Sequence, residues 1–128
     1  MTTADEPKPL TEEQLEMLRA KLREARVKLV AGRALREGEF RGQQDTLAEA
    51  MDAAEQAREQ ADALQRAERD RQTLRAIDEA LARMEDGTYG LSAVSGEPIG
   101  LERLMSIPWA QLSVADQEQL ERERRGKR

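Results

Sequence analysis

This chain of 128 residues carries a net charge of −5, with 37% charged and only 2% aromatic residues, too little bulky side chain for a thick globular core but enough for long, thin helices. The acidic balance argues against nonspecific nucleic-acid binding as the main task, the stretch 122–128 being a local basic exception. Cysteine and histidine are absent, which excludes disulfides, thiol chemistry, imidazole bases and the usual soft metal ligands. Apolar runs are too short to span a membrane, and the first residues show neither the basic nor the apolar region of a signal peptide. A cytoplasmic location is the default expectation.

Residues 1–10 hold Pro7 and Pro9 among charges and are expected to be disordered. A helix start comes next: Thr11 can cap, Gln14 completes a capping box, and Leu10 can staple onto Leu15. Leu15, Leu18, Leu22, Ala25, Leu29 and Gly32 then alternate by three and four, a seam of coiled-coil type. Gly32, Gly38 and Gly42 thin the helix toward its far end.

A second helical pattern runs from about Ala48 to Asp86. Its far half is regular, with Leu74, Ile77, Leu81 and Met84 in a 3-4-3 spacing. Its near half is rich in alanine, and Ala50, Ala53, Ala54, Ala57 and Ala61 are read as the seam there. Neither helix can bury its stripe alone and the connection is short, so the two should pair antiparallel over 11–86. The tip is expected at about 46–48, on an arm roughly 50 Å long at about 1.5 Å per residue.

Asp86-Gly87 reads as a helix stop with Gly87 past the end. Residues 89–99 read as a small hairpin turning at Ser95-Gly96. Ser113 and Asp116 form a capping box that opens a last helix to about Arg124, followed by a basic tail at 125–128. Met84, Leu91, Ile99, Leu101, Leu104, Ile107, Trp109 and Leu112 are the candidate core of the small domain at 87–124, with Trp109 as its keystone.

Residues 81–119 carry Gly90, Gly96, Ile99, Arg103, Leu104 and Pro108 in one frame. In this frame the chain resembles the C-terminal domain of the DksA/TraR family of bacterial RNA polymerase-binding proteins. The resemblance continues back through both helices, over roughly 11–123. It implies a mainly α fold: a long antiparallel two-helix coiled-coil hairpin, a small zinc-ribbon-like C-terminal domain, and a terminal helix. The family's four zinc-ligand positions hold Ser92, Ser95, Ser113 and Asp116 here. Three hydroxyls and one carboxylate are not a zinc set and make a poor hard-cation site, so no metal and no other cofactor are expected. The lost metal calls for compensation from apolar packing.

The resemblance also implies function. The family's D-x-x-D-x-A tip motif is met by Glu49, Asp52 and Ala54, with Glu49 in place of the first aspartate. Taken alone, acids there also suit a helix N-terminus. Arg69 and Arg103 match positions tied to polymerase or alarmone contact, and a solvated surface charge is the plainer reading of Arg69. Ala76 and Gln117 stand where better-known members offer lysines toward ppGpp, which argues against a ppGpp response. The implied protein is a monomeric, non-enzymatic transcription regulator. Its arm enters the secondary channel of RNA polymerase and modulates initiation without direct DNA or membrane contact. Two alternatives stay open. One is a Gre-like transcript-cleavage factor, with Asp45, Glu49 and Asp52 helping to hold a second Mg²⁺. The other is a coiled-coil adaptor that dimerises through its seam.

Overall fold

The computed structural model describes residues 9–50 and 52–126, with the backbone alone at 39–50; the first expected segment, 1–10, and the end of the basic tail lie largely outside these. Two long helices, α1 (Glu12–Ala50) and α2 (Ala53–Asp86), form a helical hairpin. Two short ones complete the chain, α3 (Leu101–Ser106) and α4 (Val114–Gly126).

The start of α1 is closed by the expected reciprocal cap. The Thr11 backbone N–H donates to Gln14 Oε1 at 2.9 Å, and the Gln14 N–H donates to Thr11 Oγ1 at 3.1 Å. At the other end the helix outlasts the expectation. Thr46 and Ala48 lie within α1, and the break comes between Ala50 and Ala53. Nothing from 46 to 50 is Gly or Pro, so the helix has no cause to stop there. The side chain that opens α2 is Asp52, whose Oδ1 accepts the Glu55 N–H at 2.9 Å.

Two compact units emerge. One gathers the bases of both helices, up to Arg23 and from Ala76, with the hairpin loop, α3 and α4. The other is Glu24–Arg75. In the first, Leu18, Leu22, Ile77 and Leu104 are the fully buried large side chains, joined in the core by Ala80, Tyr89 and Ile99. Burial of each large apolar side chain contributes about 1.5–3 kcal/mol. Of the core expected from sequence, Ile99 and Leu104 are buried, and Met84, Leu101, Trp109 and Leu112 are half-buried. Leu91 and Ile107 are exposed. The small domain is too thin to cover them, and leucines from the base of α1 fill its centre instead. The buried aromatic is Tyr89, not Trp109; its hydroxyl donates to the Pro108 carbonyl at 2.8 Å. Burial pushes this phenol up to about 12.

In the second unit the α1 seam continues as read, with Ala25, Leu29 and Gly32 half-buried. The α2 seam does not. Ala53, Ala54, Ala57 and Ala61 are exposed, and the half-buried positions are Gln56, Glu59, Ala63, Ala67 and Asp70. These continue the spacing of Leu74 and Ile77 backward by threes and fours, so the geometry of the helix outweighed the alanine pattern. Asp70, on this seam, pairs with Arg36 of α1.

Gly87, at φ 82°, ends α2, and Asp86 caps the turn by accepting from Thr88. A short hairpin comes next, with an antiparallel bridge between Leu91 and Pro98. The Ser92 N–H donates to Glu97 O and the Ile99 N–H to Gly90 O, each at 2.8 Å. Gly90 is required twice. Its φ is 92°, and a β-carbon there would stand 3.0 Å from Leu10 Cδ1. Leu10 therefore reaches this hairpin. Helix α3, too short to show a period in the sequence, springs from Gly100 at φ 102°.

Candidate functional site

Two groups of residues define candidate sites. The first is the end of the hairpin. Glu49 belongs to the last turn of α1, Asp52 precedes α2, and Ala54 is exposed in its first turn. Asp52 is exposed, and the oxygen that caps α2 holds its carboxylate against the start of that helix. The 49–54 segment thus straddles the break between the helices instead of lying one turn inside α2.

Arg69 is exposed on α2. Arg103 is not a free surface cation. Its Nε donates to the Leu112 carbonyl at 2.9 Å, which ties α3 to the segment before α4. Ala76 is half-buried, and Gln117 turns toward its own helix, donating to Glu121 at 3.1 Å. Neither supplies a charge for a phosphate.

The second group is the set Ser92, Ser95, Ser113 and Asp116, which the fold brings together. Ser92 and Ser95 lie on the hairpin loop, Ser113 and Asp116 at the start of α4. Asp116 Oδ2 accepts hydrogen bonds from Ser92 Oγ and Ser95 Oγ, both at 2.5 Å. The Asp116 N–H donates to Ser113 Oγ at 3.1 Å, the cap that the sequence suggested. The Ser92 and then the Ser95 hydroxyl hold the Asp116 carboxyl below its ordinary value of 3.8 against a smaller opposing effect of burial, and Ser113 adds a still smaller lowering. Ser92 is the one buried polar residue among those described.

These residues do not fit zinc. A structural zinc site presents thiolates or imidazoles, whereas here the single carboxylate is already occupied as an acceptor by neutral hydroxyls. Among the described residues, no group of three or more Asp or Glu stands together to hold a metal ion. The cluster does mechanically what a metal would do, fastening the loop to α4. The Ala93 N–H, donating to Gln111 O at 2.7 Å, and Gln111, donating to Glu79, add two further ties. The sequence pointed to the cap and the turn separately. It carried no sign that one carboxylate serves both, because the two halves are 24 residues apart.

No family model matches the chain. Solved structures do. DksA2 from Pseudomonas aeruginosa superposes with a TM-score of 0.69 at 36% identity, covering 89% of this chain and 88% of that one. The chain belongs to the DksA family. A second DksA-like structure, an RNA polymerase binding protein and transcriptional regulator from Chlamydia trachomatis, gives a TM-score of 0.54 at 29% identity over 90% of this chain and 95% of that one. Among curated proteins, the RNA polymerase-binding transcription factor DksA of Caulobacter vibrioides is 44% identical over 78 residues. The match takes in 61% of this chain and spans about half, 55%, of that relative. No described helix in this DksA-family chain is long and apolar enough to cross a membrane.

Proposed function

We propose that this DksA-family chain is a bacterial transcription regulator that binds RNA polymerase, inserts its helical arm into the secondary channel, and modulates initiation. The observation that carries this reading is the position of the helix break inside segment 49–54. An arm that enters a channel acts through whatever its end presents, and the end here presents the carboxylate of Asp52. Glu49 lies within the last turn before the same break. Near the polymerase's catalytic centre, such carboxylates act on its mobile elements or on the Mg²⁺ environment, and the chain performs no chemistry of its own. Arg69 is the arm's contact with polymerase. Arg103 serves by holding the small domain together. With Ala76 and Gln117 in place of cationic side chains, potentiation by ppGpp is expected to be weak or absent. The protein works as a cytoplasmic monomer, without direct DNA contact.

Asp52→Asn tests the reading because asparagine caps a helix as well as aspartate does, so the charge is lost and the cap kept. Binding to purified core RNA polymerase should persist while the effect on open-complex stability disappears. The same change at exposed Asp62 should do little. Full regulatory activity in Asp52→Asn, or no binding of the parent protein to polymerase, would overturn the reading.

A further inference from the structure

Helix α4 is packed at one end and exposed at the other. Its first turn is fixed by the bonds of Ser92 and Ser95 to Asp116, and Leu120 is the last half-buried side chain along it; residues 121–126 are all exposed. The exposed end is where the chain is most basic. Over residues 122–128, Arg122, Arg124, Arg125, Lys127 and Arg128 stand against Glu123 alone, in a chain of net charge −5. Among the described residues Arg124 and Arg125 have no acidic partner, and Arg122 meets Glu118 only at 3.9 Å, both side chains well exposed. Glu121 and Glu123 accept instead from Gln117 and Gln119, at 3.1 and 3.5 Å. One or two cations in a last turn suffice to complement a helix dipole. A run of five exceeds that, and neither packing nor pairing uses Arg124 and Arg125.

We propose that the basic end of α4, with the residues that follow it, binds the phosphodiester backbone of RNA without regard to sequence. The ligand is chosen by what residues 121–128 hold and what they lack. They hold no apolar or aromatic side chain. A protein interface is built on an apolar centre, and a helix lying on a lipid surface needs an apolar face. Neither can be made here, whereas a chain of phosphates is bound by cations alone, through release of its counterions. Four of the five cations are arginines, whose planar fork grips a phosphate through two parallel N–H donors. With no aromatic ring to stack on a base, the contact reads the backbone only. The choice of RNA over DNA rests on the reading above, in which the protein acts on polymerase without DNA contact. The acidic remainder of the chain keeps the contact local and weak, and the bonds of Ser92 and Ser95 to Asp116 set the direction in which the cationic helix end leaves the domain.

The test is fluorescence anisotropy of a labelled, mixed-sequence single-stranded RNA titrated with the full chain at about 50 mM salt and above. Affinity should fall steeply as salt is raised. Arg124→Gln combined with Arg125→Gln should weaken binding about tenfold, equally for RNAs of different sequence, and flatten the salt dependence by about 1.4, two contacts at about 0.7 each. The melting temperature should stay that of the parent, because both positions are exposed. Arg23→Gln combined with Arg58→Gln, exposed elsewhere on the chain, gives the same net charge and should leave RNA binding nearly unchanged. Equal losses in the two double variants, or no RNA binding by the parent at low salt, would overturn the inference. So would an acidic peptide bound as tightly as RNA, which would assign the helix end to a protein partner, or binding confined to duplex DNA. A parent that binds core polymerase but not RNA would overturn this inference alone; one that binds RNA but not polymerase would overturn the earlier reading and leave this contact standing.

Discussion

Ser92 and Asp116 lie 24 residues apart in sequence and share a hydrogen bond of 2.5 Å, hydroxyl to carboxylate, that joins the hairpin loop to the first turn of α4. Ser95 donates to the same oxygen. Where a zinc ribbon would concentrate its binding energy in one ion, this domain divides the task between these bonds and the leucines of α1.

The purified protein should contain no stoichiometric zinc, and its melting curve should be the same with and without a strong chelator. Asp116 Oδ2 already accepts from two hydroxyls, and no thiolate or imidazole exists to take a metal. Elemental analysis finding one zinc per chain would contradict this.

Acid should loosen the domain in a defined direction. Asp116 sits below its ordinary value of 3.8 in the folded state, mainly because Ser92 and then Ser95 donate to it. Its contribution is therefore complete above about that value and is lost as the pH falls through the lower folded pKa. Asp86, lowered by the Thr88 side chain and backbone, acts with the same sign. Melting temperature measured from pH 7 down to pH 2 should fall at the acid end, and the fall should be shallower in Asp116→Asn, which should already be less stable at pH 7.

Tyr89 gives an alkaline counterpart with an optical signal of its own, being the only tyrosine. Burial raises its pKa from 10.0 to about 12, so the neutral phenol stabilises the fold fully below pH 10, and that stability is lost as pH rises toward 12. Ultraviolet titration should show no phenolate until well past pH 10 while the fold persists. Tyr89→Phe, which leaves the Pro108 carbonyl without its partner, should cost about 1 kcal/mol or somewhat more in denaturant unfolding.

Leu18→Ala should cost about 2–5 kcal/mol, as expected for a fully buried leucine. Val27→Ala, on the exposed side of the same helix, should change stability by less than about 0.5 kcal/mol. Near-equal melting temperatures for the two variants would show that the base of α1 is not part of the core.

Much of the architecture is local and legible in the amino-acid sequence alone. The capping box at Thr11, the Leu18–Leu22–Leu29 seam, the stop at Gly87 and the cap at Ser113 each depend on residues within one or two turns of one another, so spacing and side-chain chemistry suffice to read them. The features that the chain's order leaves open are decided between segments. The hairpin's end moved beyond 46–48 because α1 has no internal reason to stop and Asp52 caps α2. The outer seam of α2 ran through Ala63, Ala67 and Asp70 because helical geometry propagates from the packed base at Ile77, not from the composition of the first turns. The joining of Ser92, Ser95 and Asp116, and the exposure of Val27 and Leu35, exist only once distant segments have met. Which faces of two helices are covered is a property of their pairing, and neither helix's sequence holds it alone.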